Sequence, residues 1–272
     1  MSGNLAPPDT VTATGAIAAG DSPAGESGQR SAGDGLRGLL GENLLAAVTE
    51  LRTQPSRPVR VLDCGGGSGS LAVPLAVTGC HVTVVDTSID ALSTLQRRAR
   101  EAGVDRQVLA VQGDIEGLDD VVQPASMDLV LLHGVVVPGP AARGLLTAAA
   151  RAVRPGGQLS VLAANPVAAV LARALSGELE AAQADLDADA EPVSLDGLSA
   201  ITAELGFDVV LAQGIGAFSA TVSGTVLSPR PRAAQDLDRL DRSAAGRSPY
   251  RDVAGSLHLL CVRRADGEPA VS

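Results

Sequence analysis

The stretch Val61-Leu62-Asp63-Cys64-Gly65-Gly66-Gly67-Ser68-Gly69-Ser70 decides how the rest of this chain is read. An apolar run ends in a carboxylate, and four glycines follow before a short helical pattern at Ser70–Ala76. Glycine lets a backbone turn tightly and approach a ligand without a Cβ in the way. By itself this turn is compatible with more than one nucleotide, since Gly67-x-Gly69-x-x-Ala72 also satisfies a dinucleotide fingerprint.

Working outward, apolar runs alternate with helical periodicity. Strands are expected at Val59–Leu62, His81–Val85, Val108–Gln112, Leu129–Leu132 and Gln158–Ala163. Helices are expected at Leu36–Leu51, Ser88–Ala102 and Arg143–Val153, with a turn at Arg154-Pro155-Gly156-Gly157. Continuous apolar strands separated by helices predict an α/β fold with a parallel sheet covered on both faces. Beyond Asn165 the pattern changes to helix over 166–183, helix at Leu195–Leu205, strand at Phe207–Ala212 and strand at Ser256–Arg263. The last two are expected to pair antiparallel.

Three acids follow successive strands: Asp63 the first, Asp86 the second, and Asp114, in Gln112-Gly113-Asp114-Ile115, the third. All three then lie at the carboxyl edge of the sheet, where open α/β folds bind ligands. Asp86, followed by Thr87, is placed to accept from ribose hydroxyls. Asp114 and the Ile115 amide are placed to address an adenine edge, and Asp63 to face a cationic part of the ligand.

This constellation resembles the class I, Rossmann-like methyltransferases that bind S-adenosyl-L-methionine, over about residues 57–164. The resemblance implies a mostly parallel seven-stranded sheet with helices on both faces and a C-terminal antiparallel hairpin. It also implies a cofactor site at Asp63, Gly65, Gly66, Gly67, Gly69, Asp86, Thr87, Gly113, Asp114 and Ile115.

A narrower resemblance, to the tRNA carboxymethoxyuridine methyltransferases, rests on further stretches. These are Gly35-Leu36-Arg37, Asp128-Leu129-Val130-Leu131-Leu132-His133, Asn165, Ser248-Pro249-Tyr250 and Gly255-Ser256-Leu257-His258. It implies that Arg37 contacts the methionine carboxylate, that His133 lies at the cofactor edge of the fourth strand, and that Asn165 and Tyr250 are acceptor-site candidates. His133 is also the one candidate general base. The chain departs from that subgroup where Gly216 replaces an arginine, Val136-Val137-Pro138 replaces an aromatic pair and Ala164 replaces an aromatic. The acceptor is therefore expected to be a carboxylate-bearing modified uridine in tRNA or, alternatively, a small metabolite; a non-catalytic cofactor-binding relative is the third alternative.

Composition excludes several chemistries. All 21 basic residues among the 272 are arginine, so a Schiff-base or P-loop lysine is absent. With no Trp, one Tyr and two Phe, extensive stacking on nucleic-acid bases is disfavoured. The three cysteines and three histidines are scattered, so no metal site is expected. No apolar run approaches the ~20 residues of a membrane span, and no secretory leader is recognisable before Arg30. The expectation is a cytoplasmic protein without membrane partners.

The formal charge of −10 opposes polyanion binding unless cations are segregated. Arg230, Arg232, Arg239, Arg242, Arg247 and Arg251 do cluster, but Asp236, Asp238 and Asp241 interleave with them at helical ion-pair spacing. Seven acids from Glu178 to Asp196 read as a solvated face. The domain organisation expected is a disordered Gly/Ala/Ser/Pro-rich tail at 1–33, one domain at 34–264 and a short tail at 265–272.

Overall fold

The computed structural model describes residues 36, 38–52, 57–136, 141–188, 193–222 and 232–265. The expected 1–33 tail, Arg37, Arg230 and most of the C-terminal tail lie outside the described residues.

One seven-stranded sheet organises the domain. Its strands are β1 (Arg60–Cys64), β2 (His81–Asp86), β3 (Val108–Gln112), β4 (Met127–His133), β5 (Val153–Ala164), β6 (Phe207–Ile215) and β7 (Ser256–Arg263). They are ordered β3-β2-β1-β4-β5-β7-β6. The first five are mutually parallel, and β7 lies antiparallel between β5 and β6. The antiparallel C-terminal pair is as expected, with β7 inserted between its predecessor and the parallel strands.

Strand alternation sends side chains to two separate cores. Val61, Val82, Val84, Leu129 and Leu131 face one way, onto α1 (Gly38–Leu51), α2 (Ala72–Val77) and α3 (Ile89–Glu101). Leu62, Cys64, Val85, Val130 and Leu132 face the other, onto α4 (Ala141–Ala152) and α7 (Leu195–Glu204). Both faces of the central strands are thus dry, which accounts for their uninterrupted apolar composition. Between β5 and α7 lie α5 (Pro166–Leu175) and α6 (Leu179–Leu186), and α8 (Ala233–Ala244) precedes β7.

Two details differ from the sequence reading. The crossover from β3 to β4 is a 3-10 helix, Ile115–Asp120, and Asp114 caps it by accepting from the Glu116 amide at 3.3 Å. The expected turn at Arg154–Gly157 instead belongs to β5. Val153 pairs with Met127, and the register shifts before Leu129 meets Gln158. Pro155 and Gly156 (φ +69°) occupy that irregularity, where a proline is tolerated in a strand.

This irregularity is braced by a buried ion cluster. The Asp128 carboxylate accepts from Arg154 Nε at 2.6 Å, from the Arg57 guanidinium at 3.0 Å and from the Arg60 amide at 2.8 Å. Burial alone would raise its pKa; those hydrogen bonds outweigh burial and hold it below the ordinary value.

Candidate active site

The order of the parallel strands reverses direction between β1 and β4, so a crevice opens at their carboxyl ends. The glycine turn crosses that point. Gly65, Gly67 and Gly69 adopt φ of +72°, +52° and +76°, a region that other residues seldom adopt. The Gly65 amide donates to the Val85 carbonyl at 2.7 Å, and the Gly67 amide donates to Asp86 Oδ2 at 2.8 Å. A Cβ at Gly65 would sit 2.3 Å from Val135 Cγ1, so the loop after β4 closes directly onto the turn.

Asp86 ends β2 and is fixed from both sides. Its Oδ1 accepts from the Ser88 amide at 2.8 Å, and Ser88 in turn caps α3 through the Ala91 amide. Each Asp86 oxygen has one protein donor, which leaves acceptor capacity on both for a ligand's hydroxyls.

Asp63 behaves differently. It is buried, and no hydrogen-bond or ion-pair partner reaches its carboxylate among the described residues. Burial, reinforced by the charge of Asp86, pushes its pKa up to about 7. An uncompensated buried carboxylate is costly, and a cation brought to it removes that cost.

Gly65, Val85, Asp86, Thr87, Gly113, Asp114, Ile115 and Val135 line one cleft of about 170 Å³. The structure therefore brings together most of the turn-and-acid set anticipated from sequence. A larger cavity of about 390 Å³ opens at the opposite, amino edge of the sheet, around Arg60, His81 and Arg106. None of the anticipated site residues lines it.

The other candidates fall elsewhere. His133 ends β4, across the crevice from the turn, and its Nε2 lies 2.9 Å from Ser160 Oγ. Burial, and secondarily the charge of His258, lowers its pKa to about 3, which makes it a poor base at neutral pH. Asn165 is buried and committed to structure. Its Nδ2 donates to the Asp252 and Ala254 carbonyls at 2.9 and 2.8 Å, and its Oδ1 caps α5 through the Val167 amide. It latches β5 to the segment before β7 and borders a separate cavity of about 230 Å³ with Val193, Leu195 and Leu257. Tyr250 is half-exposed, its ring tilted against Phe218 at 5.8 Å.

Three of the cluster's five described arginines are engaged with their own surroundings. Arg239 pairs with Asp236, Arg242 with Asp238 and with Glu42 of α1, and Arg251 with Asp252. Asp241 instead accepts from the Phe218 and Ser219 amides at 2.7 and 3.3 Å. All three cysteines are buried and their thiols pushed up, chiefly by burial, which removes thiolate chemistry. Among the described residues no three His, Cys, Asp or Glu side chains cluster as a metal site, and no helix is long and apolar enough to cross a membrane.

Sequence reasoning missed Ser160, which connects His133 to His258, and Gln213, which bonds the far side of His258. A polar residue inside an otherwise apolar strand was the available signal.

Comparison with known proteins bears on the fold and on the segment that carries the turn. Residues 61–157 match the family described as a methyltransferase domain. The ubiquinone biosynthesis O-methyltransferase of Xylella fastidiosa (strain 9a5c) is 32% identical over 127 residues, 45% of this chain and 49% of that one. The tRNA 5-carboxymethoxyuridine methyltransferase of Escherichia coli (strain K12) is 26% identical over 148 residues, 54% of this chain and 55% of that one. The chain thus spans about half the length of the curated relatives it matches. In fold it resembles magnesium protoporphyrin IX methyltransferase from Synechocystis PCC 6803 with bound SAH (S-adenosylhomocysteine). That match has a TM-score of 0.53 and 17% identity, and covers 82% of each chain. Over residues 61–157 the chain is thus similar to a methyltransferase domain, and its fold is the Rossmann-like one of the methyltransferase structure it resembles.

Proposed function

We propose that this protein is an S-adenosylmethionine-dependent methyltransferase. The observation that carries the reading is Asp63, a buried carboxylate without a partner among the described residues, beside a glycine turn that leaves room for a ligand. S-adenosylmethionine fits that arrangement, because it is a nucleoside bearing positive charge. Asp86 and Thr87 would hold its ribose, Gly113, Asp114 and Ile115 its adenine, and Asp63 with the turn its charged end. When bound it supplies an electrophilic methyl group, and the remaining work is alignment of the acceptor.

The acceptor is a small molecule in this reading. Arg239, Arg242 and Arg251 are paired with carboxylates of their own neighbourhood and offer a polyanion little. The 26% identity with a tRNA enzyme favours a second reading, a modified uridine in tRNA. A carboxylate acceptor suits either, since at a pKa of ~4 it is ionised without a base.

Calorimetric titration with S-adenosylmethionine, S-adenosylhomocysteine and NAD tests the cofactor. Micromolar binding of the first two, and none of NAD, is expected; the reverse pattern would make the turn a dinucleotide site. Filter binding of bulk tRNA across a salt series then decides between acceptors. Tight, strongly salt-dependent binding would replace the small-molecule reading by the tRNA one.

A further inference from the structure

Behind the crevice a polar chain runs across four strands of an otherwise apolar layer. The register makes it: His133 of β4 pairs with Leu162 of β5, Leu162 with His258 of β7, and His258 with Gln213 of β6. Ser160, two residues before Leu162, shares its face of β5. Gln213 Nε2 lies 3.2 Å from His258 Nδ1, His258 Nε2 lies 3.0 Å from Ser160 Oγ, and Ser160 Oγ lies 2.9 Å from His133 Nε2. Ser160, Gln213 and His258 are all buried.

The chemistry of these groups gives the chain a direction. An amide nitrogen only donates, so His258 Nδ1 accepts from Gln213. Burial lowers the His258 pKa to about 4, so the ring is neutral and its single proton sits on Nε2. That N–H donates to Ser160 Oγ. The serine hydroxyl has one hydrogen, and His133 Nε2 is the acceptor left for it. His133 is neutral as well, so its proton sits on Nδ1. His133 Nδ1 is shielded from solvent and has no hydrogen-bond partner among the described residues. The chain therefore ends in a donor with no acceptor among the described residues, at the last residue of β4 beside the strand-order reversal.

We propose that His133 is a dedicated hydrogen-bond donor, held with its proton on Nδ1 by Gln213, His258 and Ser160, and offered to an anionic oxygen of a ligand in the β1–β4 crevice. The identity of that ligand rests on the methyltransferase reading; the proton order does not. Two ligands carry the required oxygen, the methionine carboxylate of the cofactor and a carboxylate of the methyl acceptor. His133 takes no proton in this scheme, so an acceptor reaches the site already ionised. Ser160, His258 and Gln213 are positioning residues that act through His133.

Nitrogen-15 NMR of the full chain, labelled at its three histidines, tests the proposal. At pH 7, His133 is expected to be neutral with Nδ1 protonated, and His258 neutral with Nε2 protonated. A His133 protonated at Nε2, or at both nitrogens, would overturn it. Ser160→Ala is expected to abolish the single-tautomer signal of His133, and Ser160→Thr to restore it; a tautomer indifferent to both would remove the positioning role. For the ligand, S-adenosylhomocysteine and acetate are added separately and together. A downfield shift of the His133 Nδ1 proton with S-adenosylhomocysteine alone assigns the cofactor carboxylate, and a shift with acetate assigns the acceptor side. No shift with either defeats the ligand half. Failure of S-adenosylhomocysteine to bind by calorimetry counts against the methyltransferase reading instead, and leaves the tautomer result standing.

Discussion

A Cβ on Gly66 would lie 2.4 Å from Asp63 Oδ2, so the carboxylate that ends β1 is seated against the turn that follows it. The same Cβ would also press on Val84 Cγ1 at 2.9 Å. Both neighbours belong to packed strands and have little freedom to yield. Gly66→Ala should therefore cost about 1–3 kcal/mol, the usual range for overpacking. It should also weaken S-adenosylmethionine binding at least tenfold, since the displaced group is the ligand's partner. Gly117→Ala is the control: a Cβ there meets nothing within 4 Å, and its φ of −92° suits alanine. Denaturant unfolding and calorimetry on the two variants separate a specific effect from a general one.

Asp63 should impose a pH dependence of its own. Its pKa is raised from 3.8 to about 7 in the folded protein, by burial first and by Asp86 second. The folded state binds this proton more tightly than the unfolded chain does. Its contribution to stability is thus present below about pH 4 and is lost as pH rises to about 7, with a slope of up to ~1.4 kcal/mol per pH unit. Unfolding free energies measured at intervals from pH 4 to 8 should show that fall in the wild type and lack it in Asp63→Asn. Binding of the cationic S-adenosylmethionine should run the other way and tighten as pH rises through 7. A wild-type profile that matches Asp63→Asn would mean the carboxylate is paired.

Local signals made much of this fold legible. Val108–Gln112 and Ser256–Arg263 match the observed strands residue for residue, because each is an apolar run bounded by polar or turn-forming residues. That the turn and the two following acids would line one cleft was legible because a parallel sheet gathers its strand ends along one edge. What escaped depends on non-local pairing. The extension of β5 through Pro155 exists because Val153 finds Met127, and nothing near residue 155 announces it. Asn165 reads as an acceptor-site candidate until the 252 and 254 carbonyls are brought to it. The chain from Gln213 to His133 requires four strands in register.

The Asp128 cluster should dominate acid sensitivity at the other edge of the sheet. Its pKa is depressed on folding by the Arg60 amide, Arg154 and Arg57, against the effect of burial. The sign is opposite to that of Asp63: this contribution is present above the unfolded value of 3.8 and is lost as pH falls through the folded one. Asp128→Ala orphans the Arg60 amide and unties β5, at a cost of roughly 3 kcal/mol. Arg57 and Arg154 reach solvent and can rehydrate, which keeps the cost from rising further. Asp128→Asn retains an acceptor for the Arg60 amide and should cost less. Acid unfolding midpoints of the two variants check the order; equal costs would place the stabilisation in the charge alone.

Asp86 allows the sharpest test of ligand placement. Its two oxygens hold the Gly67 and Ser88 amides, so Asp86→Asn exposes one of those amides to an N–H group and loosens the turn. A tenfold or larger loss of S-adenosylhomocysteine affinity, about 1.4 kcal/mol, is expected. That loss alone would follow equally from a disordered turn. The distinction lies in pairing the variant with a 2′-deoxyribose analogue of the ligand. If Asp86 accepts from the ribose hydroxyls, the wild type should prefer the ribose form, and Asp86→Asn should lose most of that preference. The two changes are then non-additive, as groups in contact are. Additive losses would show that Asp86 acts only through the turn, and the ribose would have to be placed elsewhere along the cleft.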